Sequence, residues 1–233
     1  MIRLICVIFI LCLGGCMISG ANPADPYEPI NRRIYRMNDV VDTAVLKPTA
    51  KLYNAVLPPV VRAGINNFYS NLNLLPTIVN DALQAEKRLF LQDSWRLIIN
   101  SSVGIAGIFD PASTFGLPPH RNDLGLTFAK WGDRNSPYVV LPFLGPSTIR
   151  DGMGLLFDYS LFSVYPYLQS NIWTNSLLGL RYIDLRAQLI DADRFMVDSV
   201  DPYAFMRDAY LQHRQYLITG EQPDQGSLYV DEG

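Results

Sequence analysis

Thiols are nearly missing from this 233-residue chain: its three cysteines, Cys6, Cys12 and Cys16, all fall within the first sixteen residues. The remainder can hold no disulfide, no cysteine-ligated metal and no cysteine nucleophile. Histidine is almost as scarce, with only His120 and His213. Zinc centres gather several His, Cys or carboxylate ligands, so neither a metal nor a cofactor is expected. A G-x-S-x-G nucleophile elbow is also missing; Gly145-Pro146-Ser147 lacks the second glycine and a preceding buried strand. His120 has Asp110 and Asp123 as nearby loop carboxylates, and its expected role is a hydrogen bond that steadies the loop. Positive charge is in deficit, 19 Lys+Arg against 22 Asp+Glu for a net of −3. Nucleic-acid binding, which needs a basic patch or stripe, is not expected. The chain also lacks an internal apolar run of membrane-spanning length, since the piece 97–109 is too short for the roughly 20 residues a spanning helix requires.

What is present begins at the amino terminus. Arg3 precedes an apolar run over 4–13, and the run closes with Leu13-Gly14-Gly15-Cys16. A basic start, a short apolar core and a small-residue cleavage site describe a secretory signal peptide. A cysteine at the cleavage point makes it a lipobox. Residues 1–15 are therefore expected to be removed, Cys16 to be lipidated, and 17–24 to act as a lipidated linker. Several acyl chains on one residue anchor stably, because each buried methylene contributes about 0.8 kcal/mol.

Residues 25–220 read as a single all-α domain of amphipathic helices. Asp25-Pro26-Tyr27-Glu28 has the spacing of a capping box and opens a helix to about residue 42, with Tyr27, Ile30, Ile34, Met37 and Val41 recurring at three- and four-residue steps. Pro48, Pro58-Pro59 and Pro76 are expected to cut the next stretch of chain into short helices, the segment 59–72 carrying Asn66, Asn67 and Asn71 among apolar residues. A longer helix opens at Glu86 and loosens after Asn100-Ser101-Ser102. Residues 110–146, crowded with Pro and Gly, read as loop or short turns, with 138–141 a lone short strand. Helices resume over 149–160, 171–197 and from Asp201-Pro202 to Gly220, and 221–233 reads as a disordered tail.

Two of these helices share an unusual pattern. Gln92, Arg96 and Asn100 form one polar stripe on an otherwise apolar helix; Arg181, Asp184, Gln188 and Asp191 form another. Arg181 and Asp184 have the spacing to bridge each other, which would be a purely internal role. The alternative is lipid passage: a protein seated in a leaflet needs apolar outer faces for acyl chains and a wet inner path for headgroups. Apolar residues at 49 % against 18 % charged fit either a large core or a lipid-facing surface. Trp131 and Trp173 could mark the headgroup level or sit in the core.

Several stretches resemble the MlaA/VacJ family of outer-membrane lipoproteins. They are Asp25-Pro26-Tyr27-Glu28-Pro29-Ile30-Asn31-Arg32, Asn100-Ser101-Ser102-Val103-Gly104, Gly107-Ile108-Phe109-Asp110-Pro111-Ala112, Gly125-Leu126-Thr127 and Trp131-Gly132. Beyond these come Leu141-Pro142-Phe143-Leu144-Gly145-Pro146-Ser147-Thr148-Ile149-Arg150-Asp151, Arg186-Ala187-Gln188-Leu189-Ile190-Asp191, Asp201-Pro202-Tyr203 and Arg207-Asp208-Ala209-Tyr210. The resemblance implies a flat, ring-like, membrane-embedded helical body in the periplasmic leaflet of the outer membrane, with a central headgroup channel and no enzymatic activity. It implies removal of mislocalised phospholipid from the outer leaflet, delivery to a periplasmic carrier of the MlaC type and, in some members, association with a trimeric porin. Met17 after Cys16, in place of an aspartate, agrees with outer-membrane sorting. Arg96, Asn100, Arg181, Asp184, Gln188 and Asp191 are the expected channel-lining residues. A membrane-anchored lipid hydrolase and a non-transporting structural lipoprotein are the competing readings.

Overall fold

A computed structural model describes residues 22–220; the signal peptide, Cys16 and the tail lie outside them. Helix α1 (Glu28–Val41) forms where the sequence places it, but Asp25 does not cap it: Tyr27 holds the cap position without a side-chain bond. Asp25 is instead fully buried, accepting from the Asn31 side-chain amide at 2.7 Å and from the Tyr203 hydroxyl. A carboxylate withdrawn from water needs such donors, and the Tyr203 hydroxyl comes from a helix 178 positions away. Nor does Pro48 break the chain. The helix widens into a π turn (Asp42–Leu46), and the Lys47 N–H reaches back to the Asp42 carbonyl. The regular ladder is already interrupted there, so α2 (Lys47–Val56) accommodates Pro48 within its first turn, where no N–H is needed.

Helices α3 (Pro59–Leu72), α4 (Leu74–Leu83) and α5 (Lys87–Ser102) succeed one another with almost no loop between them. After α5 the chain folds tightly over 103–109, where the Gly107 N–H bonds the Asn100 carbonyl at 2.7 Å. Gly107 has φ +88°, and a β-carbon there would collide with the Asn71 side chain of α3. The stretch 110–146 is more regular than its Pro and Gly content suggests. Asp110 caps α6 (Pro111–Thr114) and Asp123 caps α7 (Leu124–Trp131), each accepting a backbone N–H three residues on. Strand β1 (Tyr138–Leu141) is not alone: β2 (Gly145–Thr148) pairs with it antiparallel, Tyr138 opposite Thr148 and Leu141 opposite Gly145. Pro146 disguises β2, yet in a two-stranded sheet both strands are edges and proline is tolerated.

Thr148 caps α8 (Ile149–Phe157), which ends in a second π turn (Asp158–Phe162). Helix α9 (Asn171–Gln188) stops earlier than its pattern suggests; a 3-10 turn (Ile190–Ala192) and the short α10 (Asp193–Val197) complete the expected span. Helix α11 (Pro202–Thr219) is capped at Asp201 and closed by Gly220 at φ +73°. Its start returns to α1, where Arg32 grips Asp201 through two bonds of 3.1 and 2.6 Å and stacks over the Tyr203 ring. The first and last described helices are thereby locked together in one all-helical domain with a single hairpin.

Burial is inverted relative to a water-soluble domain. Among the described residues the buried polar and charged groups outnumber the buried apolar ones, and Leu74, Leu124 and Val140 are the only buried aliphatics larger than alanine. The apolar core is limited to two small clusters, one around Ala50, Tyr53 and Ala187 and one around Tyr138, Val140 and Tyr203. Large apolar side chains are on the outside, including Val60, Ile98, Phe115, Leu156 and Ile172, together with all three tryptophans, Trp95, Trp131 and Trp173. Among the described residues no helix is long and apolar enough to cross a membrane.

Candidate functional site

A polar cavity of about 220 Å³ lies between α3, α4, α5 and the segment 110–121. Four asparagines of the α3 region, Asn66, Asn67, Asn71 and Asn73, line one side; Arg96, Asn100 and Asp110 line another, and His120 and Arg121 contribute from the segment before α7. The α3 asparagines connect the walls. Asn67 donates to the Ile108 carbonyl at 3.1 Å, Asn71 to the Ser101 hydroxyl at 3.0 Å, and Asn66 reaches Asp184 of α9 at 3.4 Å.

The α5 stripe meets this cavity with most of its valences engaged. Arg96 is buried, binds both oxygens of Asp110 at 3.1 Å and also donates to the Ser113 hydroxyl and the Leu117 carbonyl. Asn100 donates to Asp110 at 2.9 Å and accepts from the Ala112 N–H at 3.1 Å. Burial pushes the Asp110 carboxyl up, but the bonds from Ser113, Asn100 and Arg96 outweigh it and hold it below the usual carboxylate range. Gln92, the third member, points to the Pro118 carbonyl at 2.9 Å. The stripe thus fixes the 110–118 segment against α5. What it leaves uncommitted is the Arg96 Nε, which is buried and unpartnered, as is the Asn71 Oδ1.

The α9 stripe forms a second group around buried Asp184, which accepts from the Tyr53 hydroxyl at 3.0 Å and from Gln188 at 2.9 Å and lies 3.5 Å from Arg181. Arg181 stands over the Tyr69 ring of α3, and burial lowers its pKa. Through Asn66 and Tyr69 this group adjoins the cavity on the α3 side. Asp191 does not join it. It is exposed on the 3-10 turn after α9, because the helix ends before the four-residue spacing can bring it round. Of the six residues expected along a polar path, five fall into two groups flanking α3 and one stands apart.

The α3 asparagines, Thr77 and Arg121 are cavity residues that the stripe pattern missed. Their signal in the sequence is the four asparagines at 66, 67, 71 and 73, which trace no single helical face and so form no stripe. His120 is not near Asp110 or Asp123 by any bond; its Nδ1 lies 2.9 Å from Asp93 and 3.8 Å from Asp81. A larger surface cavity of about 530 Å³ lies beside α11, lined in part by Arg134, Arg150 and Arg214. Arg150 and Arg214 already pair there with Asp151 at 2.9 and 2.7 Å.

Comparison with known proteins agrees with these observations. A family model described as the MlaA lipoprotein matches residues 23–217. The intermembrane phospholipid transport system lipoprotein MlaA of Escherichia coli strain K12 is 33 % identical over 219 residues, covering 89 % of this chain and 85 % of that protein. An uncharacterized protein of Rickettsia felis is 34 % identical over 195 residues, 83 % of this chain and 78 % of the relative. A solved structure concerned with the maintenance of bacterial outer membrane lipid asymmetry superposes with a TM-score of 0.72 at 32 % identity, over 84 % of this chain and 99 % of that one. With a family match across most of its length and a shared fold, the chain belongs to the MlaA lipoprotein family.

Proposed function

We propose that this protein is an outer-membrane lipoprotein that removes mislocalised phospholipid from the outer leaflet through a polar path and passes it to a periplasmic carrier. The observation that carries the reading is the inverted burial: a cavity lined by asparagine and arginine inside a body whose large apolar side chains face outward. A headgroup stripped of water without partners would lose several kcal/mol, so a route through an apolar layer requires such a lining. Arginine suits a phosphate because its guanidinium pairs with two oxygens at once. In this reading Arg96 and Asn100 line the path with the α3 asparagines, Arg181, Asp184 and Gln188 border its far side, and Asp191 lies beyond it.

The protein performs no catalysis in this reading. His120 faces carboxylates, and among the described residues no hydroxyl nucleophile is bonded to it. Cys16 carries the acyl anchor in the periplasmic leaflet, so Cys16→Ser abolishes palmitate labelling in cells; persistent label would overturn that assignment. The acceptor is a carrier of the MlaC type and a trimeric porin is the outer-membrane neighbour, both testable by crosslinking and co-purification.

The decisive experiment obstructs the cavity. Ser70 lines it from α3, and Ser70→Trp places an indole in the space without removing an ion pair. Outer-leaflet phospholipid and detergent sensitivity should rise to the level of a null strain while protein abundance stays normal, and Gln188→Trp should act in the same direction. Normal lipid asymmetry in Ser70→Trp at normal abundance would remove the cavity from the transport route.

A further inference from the structure

Beside the cavity, Asp81 of α4, Asp93 of α5 and His120 of the segment before α7 present three potential ligand atoms within 4.8 Å of one another. Both aspartates are completely buried, and His120 covers them with its side chain only partly exposed. The His120 Nδ1 faces both, at 2.9 Å from Asp93 Oδ2 and 3.8 Å from Asp81 Oδ1.

The bonding of this trio is incomplete in a particular way. Asp81 Oδ1 accepts from the Asn122 amide at 2.8 Å and Asp93 Oδ2 is engaged by the histidine, but Asp81 Oδ2 and Asp93 Oδ1 are buried with no hydrogen-bond partner. Two buried carboxylates with oxygens within 4.8 Å of each other cannot both stay ionised in a dry site without a counter-charge. One imidazolium supplies at most a single positive charge for two negative ones. Neighbouring groups do not make up the difference: Asn122, Gln84 and Thr77 are neutral, Lys130 is paired with Glu86, and Asn80 is turned to Asp158 and Thr127.

We propose that Asp81, Asp93 and His120 bind a divalent transition-metal cation of the zinc type. A double charge balances both carboxylates and gives their free oxygens a partner. One imidazole nitrogen with two carboxylate oxygens is a three-ligand zinc set, which leaves a fourth position for water. At metal–ligand distances near 2.1 Å, tetrahedral ligands stand roughly 3.4 Å apart, so three ligand atoms within 4.8 Å of one another close on a metal through side-chain shifts on the order of an ångström. An all-oxygen cation such as calcium or magnesium would gain nothing from the imidazole.

The surroundings are already arranged to hold the ligands. Asn122 fixes Asp81, and is itself held by Gln84 at 2.8 Å on its side-chain carbonyl and by the Thr77 hydroxyl at 3.3 Å on its backbone carbonyl. Outer partners of this kind orient metal ligands in known sites. The metal would join α4, α5 and the segment preceding α7, three of the pieces that frame the polar cavity, and the proposal stands independently of what passes through that cavity.

The test uses the full-length lipoprotein purified in detergent, with its metal content read by mass spectrometry and with Zn2+ titrated calorimetrically after chelator dialysis. Expected are one zinc per chain, at least ten-fold weaker binding in Asp93→Asn and in His120→Gln, unchanged binding in His213→Ala, and Ca2+ or Mg2+ bound at least a hundred-fold more weakly than Zn2+. X-ray absorption of the zinc-loaded protein should report a single imidazole with oxygen neighbours. Because the folded wild-type protein is itself measured, instability of a variant does not blur the result. Zinc below a tenth of an equivalent with no heat of binding would overturn the site and leave a proton shared between the two aspartates as the explanation of the cluster. Binding that survives both substitutions would overturn it equally.

Discussion

Individual buried polar residues are where this chain concentrates its unusual energetics, and Asp158 is the clearest case. It accepts from the Leu124 N–H at 2.8 Å and from Asn80 at 2.9 Å, yet burial dominates and its carboxyl is pushed up to about 6. Between the ordinary carboxylate value of 3.8 and that raised value the folded state holds a proton that the unfolded chain has released. Stability from this group is therefore complete below pH 3.8 and is lost as pH rises through 6. Asp110, Asp151, Asp193 and Asp201 are held low and act in the opposite direction, so the wild-type curve alone does not isolate the effect. Asp158→Asn does. The wild type should lose stability relative to the variant as pH is raised from about 4 to 7, by up to about 3 kcal/mol, read as thermal midpoints in detergent micelles. Parallel midpoint curves would refute the raised value. Asp25 shows how far a buried carboxylate can depart from its local pattern: an Asp-Pro pair has the appearance of a helix cap, and Asp201 is one, but Asp25 is drawn into a buried site by Asn31 and Tyr203. Local spacing is identical in the two cases, and only the long-range partner separates them.

Secondary-structure elements were legible wherever one periodicity ran uninterrupted. Helices α1, α3 and α11 begin and end close to their expected positions because prolines in their first turns, the Asp201 cap of α11 and its terminal Gly220 agree with the apolar repeat. Strand β1 was legible at 138–141, but its partner β2 and helix α7 were not, since Pro and Gly in 110–146 serve here as edge-strand and turn residues within ordered structure. Gly154 serves close packing in α8. A β-carbon at Gly154 would collide with the backbone of Gly125 in α7, and one at Gly125 would strike Asp151 and Arg214. Gly154 thus lets α7 and α8 approach closely, and Gly125 leaves the space in which Asp151 of α8 pairs with Arg214 of α11 at 2.7 Å. Gly154→Ala should lower stability by about 1–3 kcal/mol through overpacking. Gly179→Ala, at a helical glycine with open space around it, should be neutral or stabilising by a few tenths up to about 1 kcal/mol. Denaturation of both variants in the same detergent checks this, and equal loss in the two would count against the close approach of α7 and α8.

At the scale of the whole molecule the two polar stripes and the excess of apolar residues express one property, a body whose interior is wetter than its exterior. The stripes were found by helical spacing, but their partners were not: Asp110, Asn66 and Tyr53 are supplied by other segments of the chain, and no periodicity points to them. Composition fits a large core and a lipid-facing surface equally well, and burial excludes the large core, because the aliphatic and aromatic groups that would build it are exposed among the described residues. So many exposed large apolar groups mark a surface that meets lipid or another protein, which bears on the role of the anchor. If Cys16 supplied the whole attachment, an unacylated Cys16→Ser chain would be released as a soluble protein. The exposed apolar faces instead predict that the body binds bilayers by itself. All three tryptophans are exposed, Trp95 at 56 %, Trp131 at 58 % and Trp173 at 69 %, so they report on their own surroundings. Unacylated protein mixed with phospholipid vesicles should show blue-shifted tryptophan emission, and brominated acyl chains should quench it. Three variants, each keeping one tryptophan and carrying phenylalanine at the other two positions, would separate the sites, with quenching depth ranking each face by its distance from the acyl chains. Emission that stays water-like in the presence of vesicles, with a monomeric protein in detergent-free buffer, would mean that these apolar faces do not enter lipid and would withdraw the lipid-seated reading.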